Sequence, residues 1–187
     1  SATPIPRTLA LIMYSDLDIS IIDELPPGRK PVKTIHLTEK DRKKTDNFIL
    51  KELNEKNQIY IVCPLVEDSD DSSELKDAVS YHKSISEKFP DASVALIHGK
   101  MKSREKDEIM LKFKRGEIDI LVSTTVIEVG VNVPNATVMM IENAERFGLS
   151  QLHQLRGRVG RGNKQSYNIL ITDNESKATK ERMKIMV

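Results

Sequence analysis

A glycine-flanked group of basic residues is the part of the sequence best suited to chemistry. Residues 147–172 contain no Asp or Glu. The cations of this stretch are Arg156, Arg158, Arg161 and Lys164. A guanidinium is a planar fork of donors that suits a bidentate grip on phosphate oxygens. Arg158 and Arg161 therefore predict a phosphate-binding site. The alternative is that they pair with carboxylates from elsewhere in the fold, as most surface arginines do.

The same stretch follows helical spacing over residues 150–162. Its apolar side consists of Leu152, Leu155 and Val159. Its polar side, at spacings of three and four, consists of Gln151, Gln154, Arg158 and Arg161. We expect Gly157 to leave room within the polar side for a ligand or backbone to approach. Gly157 and Gly160 are also positions at which the helix can end early.

The sequence contains no complete phosphate-binding loop for a nucleotide. Neither Gly-x-x-x-x-Gly-Lys-Ser/Thr nor Gly-x-Gly-x-x-Gly after a strand is present. Gly99-Lys100 is followed by Met101 and lacks the upstream glycine. Arginines able to hold a γ-phosphate, without a loop for the rest of the nucleotide, indicate arginine fingers offered to another domain.

Short apolar runs alternate with helical patterns along the chain. The runs are Val32–Leu37, Gln58–Cys63, Ser93–His98, Ile118–Ser123, Thr137–Ile141 and Ser166–Thr172. Most are continuous rather than alternating, which is typical of strands buried on both faces of a parallel sheet. Helices are predicted over Asp41–Lys56 after a Thr38 cap, and over Arg104–Lys114 after a Ser103 cap. The pattern predicts an α/β sandwich.

Polar residues follow three of the predicted strands. They are His98-Gly99-Lys100, Ser123-Thr124-Thr125 and Glu142-Asn143-Ala144. Ligands of open α/β sheets bind beyond the carboxyl ends of the strands, so this edge is a second predicted site.

Length and composition limit the remaining choices. The 187 residues suit one sizeable domain. A net charge of +1 does not indicate a protein that binds nucleic acids or membranes through its overall charge. One cysteine, Cys63, excludes an internal disulfide framework and favours a reducing, cytosolic compartment. The four histidines lack zinc-ligand spacing, and no apolar run reaches the roughly 20 residues of a membrane span.

The pattern divides the chain into an arm and a domain. Residues 1–31 are rich in proline and are predicted to be a connecting arm, with a short helix near Arg7–Tyr14. Residues 32–187 form the domain. The acidic stretch Glu67–Asp77 is predicted to be a solvated, mobile surface loop. We expect the whole to be a piece of a longer protein.

Three stretches resemble signature motifs of superfamily-two helicases. Gln154–Arg161 is similar to the last motif, Leu121–Pro134 to the one before it, and Ser1-Ala2-Thr3 to the motif that closes the first motor domain. Further stretches resemble the RecG family of bacterial branched-DNA helicases. They are Ala2–Leu9, Asp23–Lys30, Ile61–Leu65 and Glu142–Gln154. The transcription-repair coupling translocases share part of the first stretch and Leu152–Arg161.

The resemblance implies a RecA-like (P-loop NTPase-type) three-layer sandwich with a mostly parallel sheet, as the C-terminal helicase domain. It implies the second motor domain of an ATP-dependent DNA helicase that remodels stalled forks and Holliday junctions in recombination and repair. ATP with Mg would be bound mainly by the first motor domain, with no metal held by this chain alone. The implied partners are branched DNA and the first motor and wedge domains of the same protein, which is expected to be monomeric and cytoplasmic.

The resemblance also implies roles for individual residues. Arg158 and Arg161 would be the arginine fingers, and Gln154 would sense the γ-phosphate. The nucleotide-binding residues would be Gly130, Asn132 and Gly157. The DNA-binding residues would be Ser123, Thr124, Gly99 and Lys100. Asn132 replaces a commoner aspartate; its amide still forms hydrogen bonds but is neutral. The roles of His98 and Glu128 stay open.

Three alternatives remain. One is a DNA translocase of the transcription-repair coupling type, one is an RNA-directed helicase, and one is a non-catalytic nucleic-acid-binding α/β module. Phosphate contacts cannot separate DNA from RNA, because they carry no information on the base or the 2′-hydroxyl. Alone, the chain is expected neither to hydrolyse ATP nor to unwind DNA.

Overall fold

Six parallel strands form one sheet in the order β1-β6-β5-β2-β4-β3. The structure is a computed structural model, and it describes residues 28–64, 71–124 and 132–187. The strands are β1 (Lys33–Leu37), β2 (Gln58–Val62), β3 (Val94–Ile97), β4 (Ile120–Ser123), β5 (Ala136–Ile141) and β6 (Tyr167–Ile171). All six predicted strands are therefore confirmed, with bounds within two residues of the apolar runs.

Five α-helices cover the two faces of the sheet in the described part of the chain. They are α1 (Arg42–Asn54), α2 (Asp71–Lys88), α3 (Ser103–Lys114), α4 (Leu149–Arg156) and α5 (Lys177–Met186). Ile49 of α1 and Ile85 of α2 pack with Ile59 of β2 on one face. Residues of α3, α4 and α5 pack on the other face, around Tyr60. The predicted α/β three-layer sandwich is confirmed.

The central strands are buried on both faces. Every residue of β2, β4 and β5 is buried. Alternate residues of β2 point to opposite layers: Tyr60 packs beside α3, while Ile59 and Ile61 pack beside α1 and α2. This double burial explains why these strands are continuous apolar runs in the sequence.

The acidic stretch Glu67–Asp77 differs from its prediction. The expectation of a surface loop is wrong from residue 71 onward, because helix α2 begins at Asp71. Asp and Glu are favourable in the first turn of a helix, where they oppose the positive end of its dipole. Further along the same helix, Ala78 and Ile85 are buried, so packing of its apolar side accounts for the rest. Residues 65–70 lie outside the described part.

The predicted helix starts need small corrections. Thr38 lies at the cap of a short 3-10 turn, Glu39–Asp41, that leads into α1, and its Oγ1 donates to Asp41 at 3.1 Å. Helix α3 begins at Ser103 itself, with Lys102 in the capping position. There the Lys102 backbone N–H donates to Glu105 at 3.0 Å, so the carboxylate of the first turn, rather than a serine hydroxyl, caps the helix start.

The described end of the connecting arm lies against the loop before β6. The Gln165 side-chain amide donates to the Pro31 carbonyl at 2.8 Å, and the Lys33 N–H donates to the Ser166 carbonyl at 2.9 Å. The helix predicted near Arg7–Tyr14 lies outside the described residues. Among the helices that the structure describes, none is long and apolar enough to cross a membrane.

Candidate functional site

The predicted site residues lie on opposite edges of the sheet. Helix α4 starts beyond the carboxyl end of β5 and runs back toward the amino edge, where residues 157–166 lead into β6. A Cβ built on Gly160 would lie 2.6 Å from Val32, just before β1, and one on Gly162 would lie 2.6 Å from the Pro134 carbonyl, just before β5. These approaches place Arg158 and Arg161 at the amino edge.

The helix before the basic residues ends earlier than the helical spacing of residues 150–162 predicts. Helix α4 stops at Arg156 with Gly157 as its cap, so Arg158 and Arg161 do not share a helical stripe with Gln154. Gly157 has a poor helix propensity, and Gly160 takes a φ of +74°, a left-handed conformation that favours glycine. The apolar side is confirmed, since Leu152, Leu155 and Val159 are all buried.

Arg161 lies in a cationic, partly dehydrated environment. Its Nε donates to the Gly157 carbonyl at 3.1 Å, which orients the guanidinium. Burial lowers the pKa of Arg161, and the positive charges of Arg158 and Arg29 lower it further. No carboxylate of the described residues forms an ion pair with Arg161. The alternative that Arg161 pairs with a distant acid is therefore unsupported within that part of the chain.

Tyr60 lies close enough to both Arg158 and Arg161 to be affected by their charges. Its ring is buried beneath α3 and makes an edge contact with Phe113, with centroids 4.8 Å apart. Burial raises the pKa of Tyr60 to about 12, against the opposing positive charges of Arg158 and Arg161. Both guanidinium groups therefore lie within electrostatic reach of one phenol.

Two of the three expected nucleotide-binding residues belong to the same edge. Asn132 is exposed and lies two residues before Pro134, against which Gly162 packs. Gly157 is exposed at the end of α4, one turn after the half-buried Gln154. Gly130 lies outside the described residues, as does Glu128. The amino edge thus combines Gln154, Gly157, Arg158, Arg161 and Asn132.

A buried polar chain fixes the loop that follows the arginines. The Lys164 ammonium donates to the side-chain oxygen Oδ1 of Asn57 at 2.5 Å, and Nδ2 of the same side chain donates to Glu52 at 2.9 Å. The Thr137 hydroxyl donates to the same Glu52 oxygen at 2.7 Å. Glu52 and Asn57 are both buried, so these bonds are costly to break and hold the loop against α1 and β5.

The expected DNA-binding residues lie at the carboxyl edge, on neighbouring strands. The Thr124 N–H donates to the Ile97 carbonyl at 3.1 Å, which joins the ends of β4 and β3. Gly99 and Lys100 form an exposed turn beyond β3. Ser123 is fully buried and Thr124 nearly so, whereas the turn faces solvent. DNA contact by these four residues stays a prediction, with Gly99 and Lys100 the accessible pair.

His98 lies next to this turn as a neutral base. Its Nδ1 is buried and has no hydrogen-bond partner. Burial lowers the pKa of His98, the positive charges of Lys106 and Lys100 lower it further, and Glu105 opposes them. A neutral imidazole adds no charge to this turn, whose cations are Lys100 and Lys106, the latter donating to the Gly99 carbonyl at 3.1 Å.

Sequence reasoning missed an ion-pair cluster at the carboxyl edge. Arg42 donates from Nη1 and Nη2 to the buried Glu142 at 2.6 and 2.8 Å, and the Tyr81 hydroxyl donates to the same carboxylate at 2.6 Å. The pKa of Arg42 is raised, chiefly by Glu142. Burial, assisted by Glu142, raises the pKa of the neighbouring Cys63 thiol to about 12. The one signal of this cluster in the sequence is the polar stretch that begins with Glu142, directly after β5.

The amino edge fits phosphate oxygens better than a metal ion. The charged side chains of Arg158, Arg161 and Lys164 there are guanidinium and ammonium groups, which bind anions. The part of the chain that the structure describes contains no group of three or more His, Cys, Asp or Glu side chains arranged to hold a metal.

A parallel sheet with helices on both faces is the architecture of a known family of helicase domains. The chain belongs to the family of the helicase conserved C-terminal domain, whose model matches residues 41–163.

Along its whole length the chain is similar to bacterial proteins named ATP-dependent DNA helicase RecG. The identity is 53% to the protein from Synechocystis sp., 52% to that from Streptococcus pneumoniae and 51% to that from Bacillus subtilis. The chain spans 22%, 28% and 27% of these relatives. The resemblance to the RecG family is confirmed.

Solved structures agree with the sequence matches. A structure described as RecG bound to a three-way DNA junction has a TM-score of 0.81 and 45% identity, covering 98% of this chain and 24% of that one. The Saccharomyces cerevisiae protein Dbp5 bound to RNA and ADP BeF3 has a TM-score of 0.58 at 15% identity, over 92% of this chain and 44% of that one. The second likeness concerns the fold alone.

Proposed function

We propose that this chain is the second motor domain of an ATP-dependent DNA helicase that remodels branched DNA, including stalled forks and Holliday junctions. Its arginines would act on ATP held mainly by a first motor domain. Its partners would be branched DNA and the first motor and wedge domains of the same protein. The names of the relatives and the junction-bound neighbour support DNA rather than RNA as the substrate.

The placement of Arg161 carries the proposal. It lies at the amino edge, oriented by Gly157, among other cations and without an ion-pair partner in the described residues. A guanidinium in this state suits the negative charge that develops on a transferring phosphoryl group. Closure of the two motor domains would bring Arg161 and Arg158 onto the γ-phosphate, as arginine fingers do in other phosphoryl-transfer enzymes.

The carboxyl edge supplies the second half of the proposal. The exposed turn at Gly99 and Lys100 offers backbone N–H groups and one ammonium to phosphates, which position DNA without reading its sequence. ATP-driven movement of this domain would carry the turn along the DNA backbone. The arrangement also suits a translocase of the transcription-repair coupling type. ATP hydrolysis that depends on branched DNA would favour the helicase over this translocase.

Hydrolysis by the full-length protein tests the finger assignment. Arg161→Ala should lower kcat for ATP by roughly 10³-fold or more, since fingers of this kind contribute about 10³–10⁵. ATP affinity should fall much less. Steady-state hydrolysis would be measured with fork DNA, linear duplex and no DNA.

The matched control is Arg115→Ala, which removes an exposed arginine at the end of α3. A predominant loss of ATP affinity in Arg161→Ala, with near-normal turnover at saturation, would contradict the finger. Wild-type hydrolysis that is indifferent to DNA structure would contradict the branched-DNA assignment.

A further inference from the structure

A basic groove lies between the connecting arm and the end of helix α4. It is open and encloses about 490 Å³. Arg29 and Lys30 form the arm side, and Arg156 and Arg161 form the helix side with His153. Among the described residues that line it are four Arg or Lys side chains and no carboxylate. The residue types and spacing of the sequence do not predict a binding role for Arg29 or Lys30.

The arm side of the groove is held in place by the loop that carries Arg161. The Gln165 amide donates to the Pro31 carbonyl at 2.8 Å. Val32 packs on Gly160, close enough that a Cβ there would lie 2.6 Å from it, and Gly28 faces Asn163. The contacts of Pro31 and Val32, directly after Arg29 and Lys30, therefore hold this part of the chain beside the loop that carries Arg161.

The charges of the groove are only partly used within the fold. Arg156 donates to the Met186 carbonyl at 3.5 Å and to the His153 ring at 3.2 Å, so it has a structural role. Arg29, Lys30 and Arg161 form no ion pair with any carboxylate of the described residues. Like charges held this close repel one another, and a bound anion would relieve the repulsion.

We propose that Arg29 and Lys30 bind the phosphate chain of the same nucleotide whose γ-phosphate Arg161 contacts. The inference rests on the proposed function and extends the site to the connecting arm. The volume of the groove lies in the range of small-ligand sites, about 300–1,000 Å³. Its position on the amino edge, opposite Gly99 and Lys100, favours the nucleotide over the DNA backbone. Nucleotide binding would then fasten the arm to this domain.

The test is nucleotide affinity in the full-length protein with Arg29→Ala, Lys30→Ala and the double substitution. Each lost charge-assisted contact should weaken binding of a non-hydrolysable ATP analogue about tenfold. The KM for ATP should rise by more than kcat falls, the reverse of the pattern for Arg161→Ala. Binding of fork DNA would be measured in parallel, without nucleotide.

Arg115→Ala and Lys112→Ala are the controls, since both remove exposed cations of the α3 region. Normal analogue affinity in the double variant would overturn the proposal, and so would a loss confined to DNA affinity, which would assign the groove to the DNA backbone. The two proposals fail separately. If Arg161→Ala keeps full turnover while the double variant loses analogue affinity, the finger is wrong and the groove stands.

Discussion

At the scale of single residues, the ion pair between Arg42 and Glu142 depends on the accurate placement of distant parts of the chain. The two residues are 100 positions apart and join α1 to the end of β5, while Tyr81 brings α2 to the same carboxylate. Glu142 is buried, with 8% of its side chain exposed. Burying a carboxylate is costly unless hydrogen bonds and an opposite charge replace its water, and these donors provide both.

Removing Arg42 should therefore destabilise the fold. Arg42→Met keeps the aliphatic stem but leaves Glu142 charged and unpaired, so we expect the free energy of unfolding to fall by about 3 kcal/mol. Urea unfolding followed by circular dichroism measures it. Adding Glu142→Gln removes the stranded charge and should restore part of the loss. A single variant as stable as Arg115→Met would contradict this account.

At the scale of elements, the turn after α4 decides where the arginines lie. The apolar spacing of Leu152, Leu155 and Val159 predicts their burial, because hydrophobic periodicity reflects the side that packs. The same spacing fails for Arg158 and Arg161, because a helical wheel assumes that the helix continues beyond Gly157. Gly157 and Gly160 indicate that the helix ends nearby, but they do not show at which residue it ends.

Gly160 allows a sharp test of this turn. Gly160→Ala meets two obstacles, a φ of +74° and a Cβ 2.6 Å from Val32. Gly116→Ala meets only the first, with a φ of +76° and no atom within 4 Å. We expect Gly116→Ala to cost about 1 kcal/mol and Gly160→Ala about 2–3 kcal/mol, measured by thermal unfolding. Val32→Ala added to Gly160→Ala should recover the steric part. Equal costs at both glycines would refute the close packing of the arm.

Long-range placement explains what the sequence could not predict about the elements. Six apolar runs identify six strands because burial on both faces leaves a direct trace in residue type. The groove formed by Arg29, Lys30 and Arg161 leaves none, since over 120 positions separate its two sides and only the sheet order brings them together. The start of α2 was missed because local charge resembles a solvated loop until its buried side is known.

At the scale of the whole molecule, the sheet separates the two candidate sites, which lie at its opposite edges. Strands of four to six residues, at about 3.3 Å per residue, hold the edges roughly 13–20 Å apart. Under the proposed function, no single side chain reaches from the nucleotide to the DNA. Coupling between them would therefore pass through the packed elements of the domain or through its movement as a unit. By linkage, DNA then changes nucleotide affinity by the same factor as nucleotide changes DNA affinity.

The division of labour also predicts the behaviour of the chain by itself. Arginine fingers without a phosphate-binding loop should give no ATP hydrolysis above background and no strand separation of a fork. Phosphate release and a fluorescent fork assay measure the two, after circular dichroism has shown that the 187-residue chain is folded. Turnover by a folded, contaminant-free preparation would show that the chain holds a complete nucleotide site.

The shielded state of Cys63 has a practical consequence. With its thiol pKa raised to about 12, the side chain is almost entirely protonated at neutral pH. It therefore reacts slowly with maleimide dyes, which are attacked by the thiolate form of cysteine. This chain therefore contributes little labelling background of its own. A cysteine engineered at an exposed position such as Lys112 would accept a fluorophore selectively, and single-molecule energy transfer could then follow the domain while it moves.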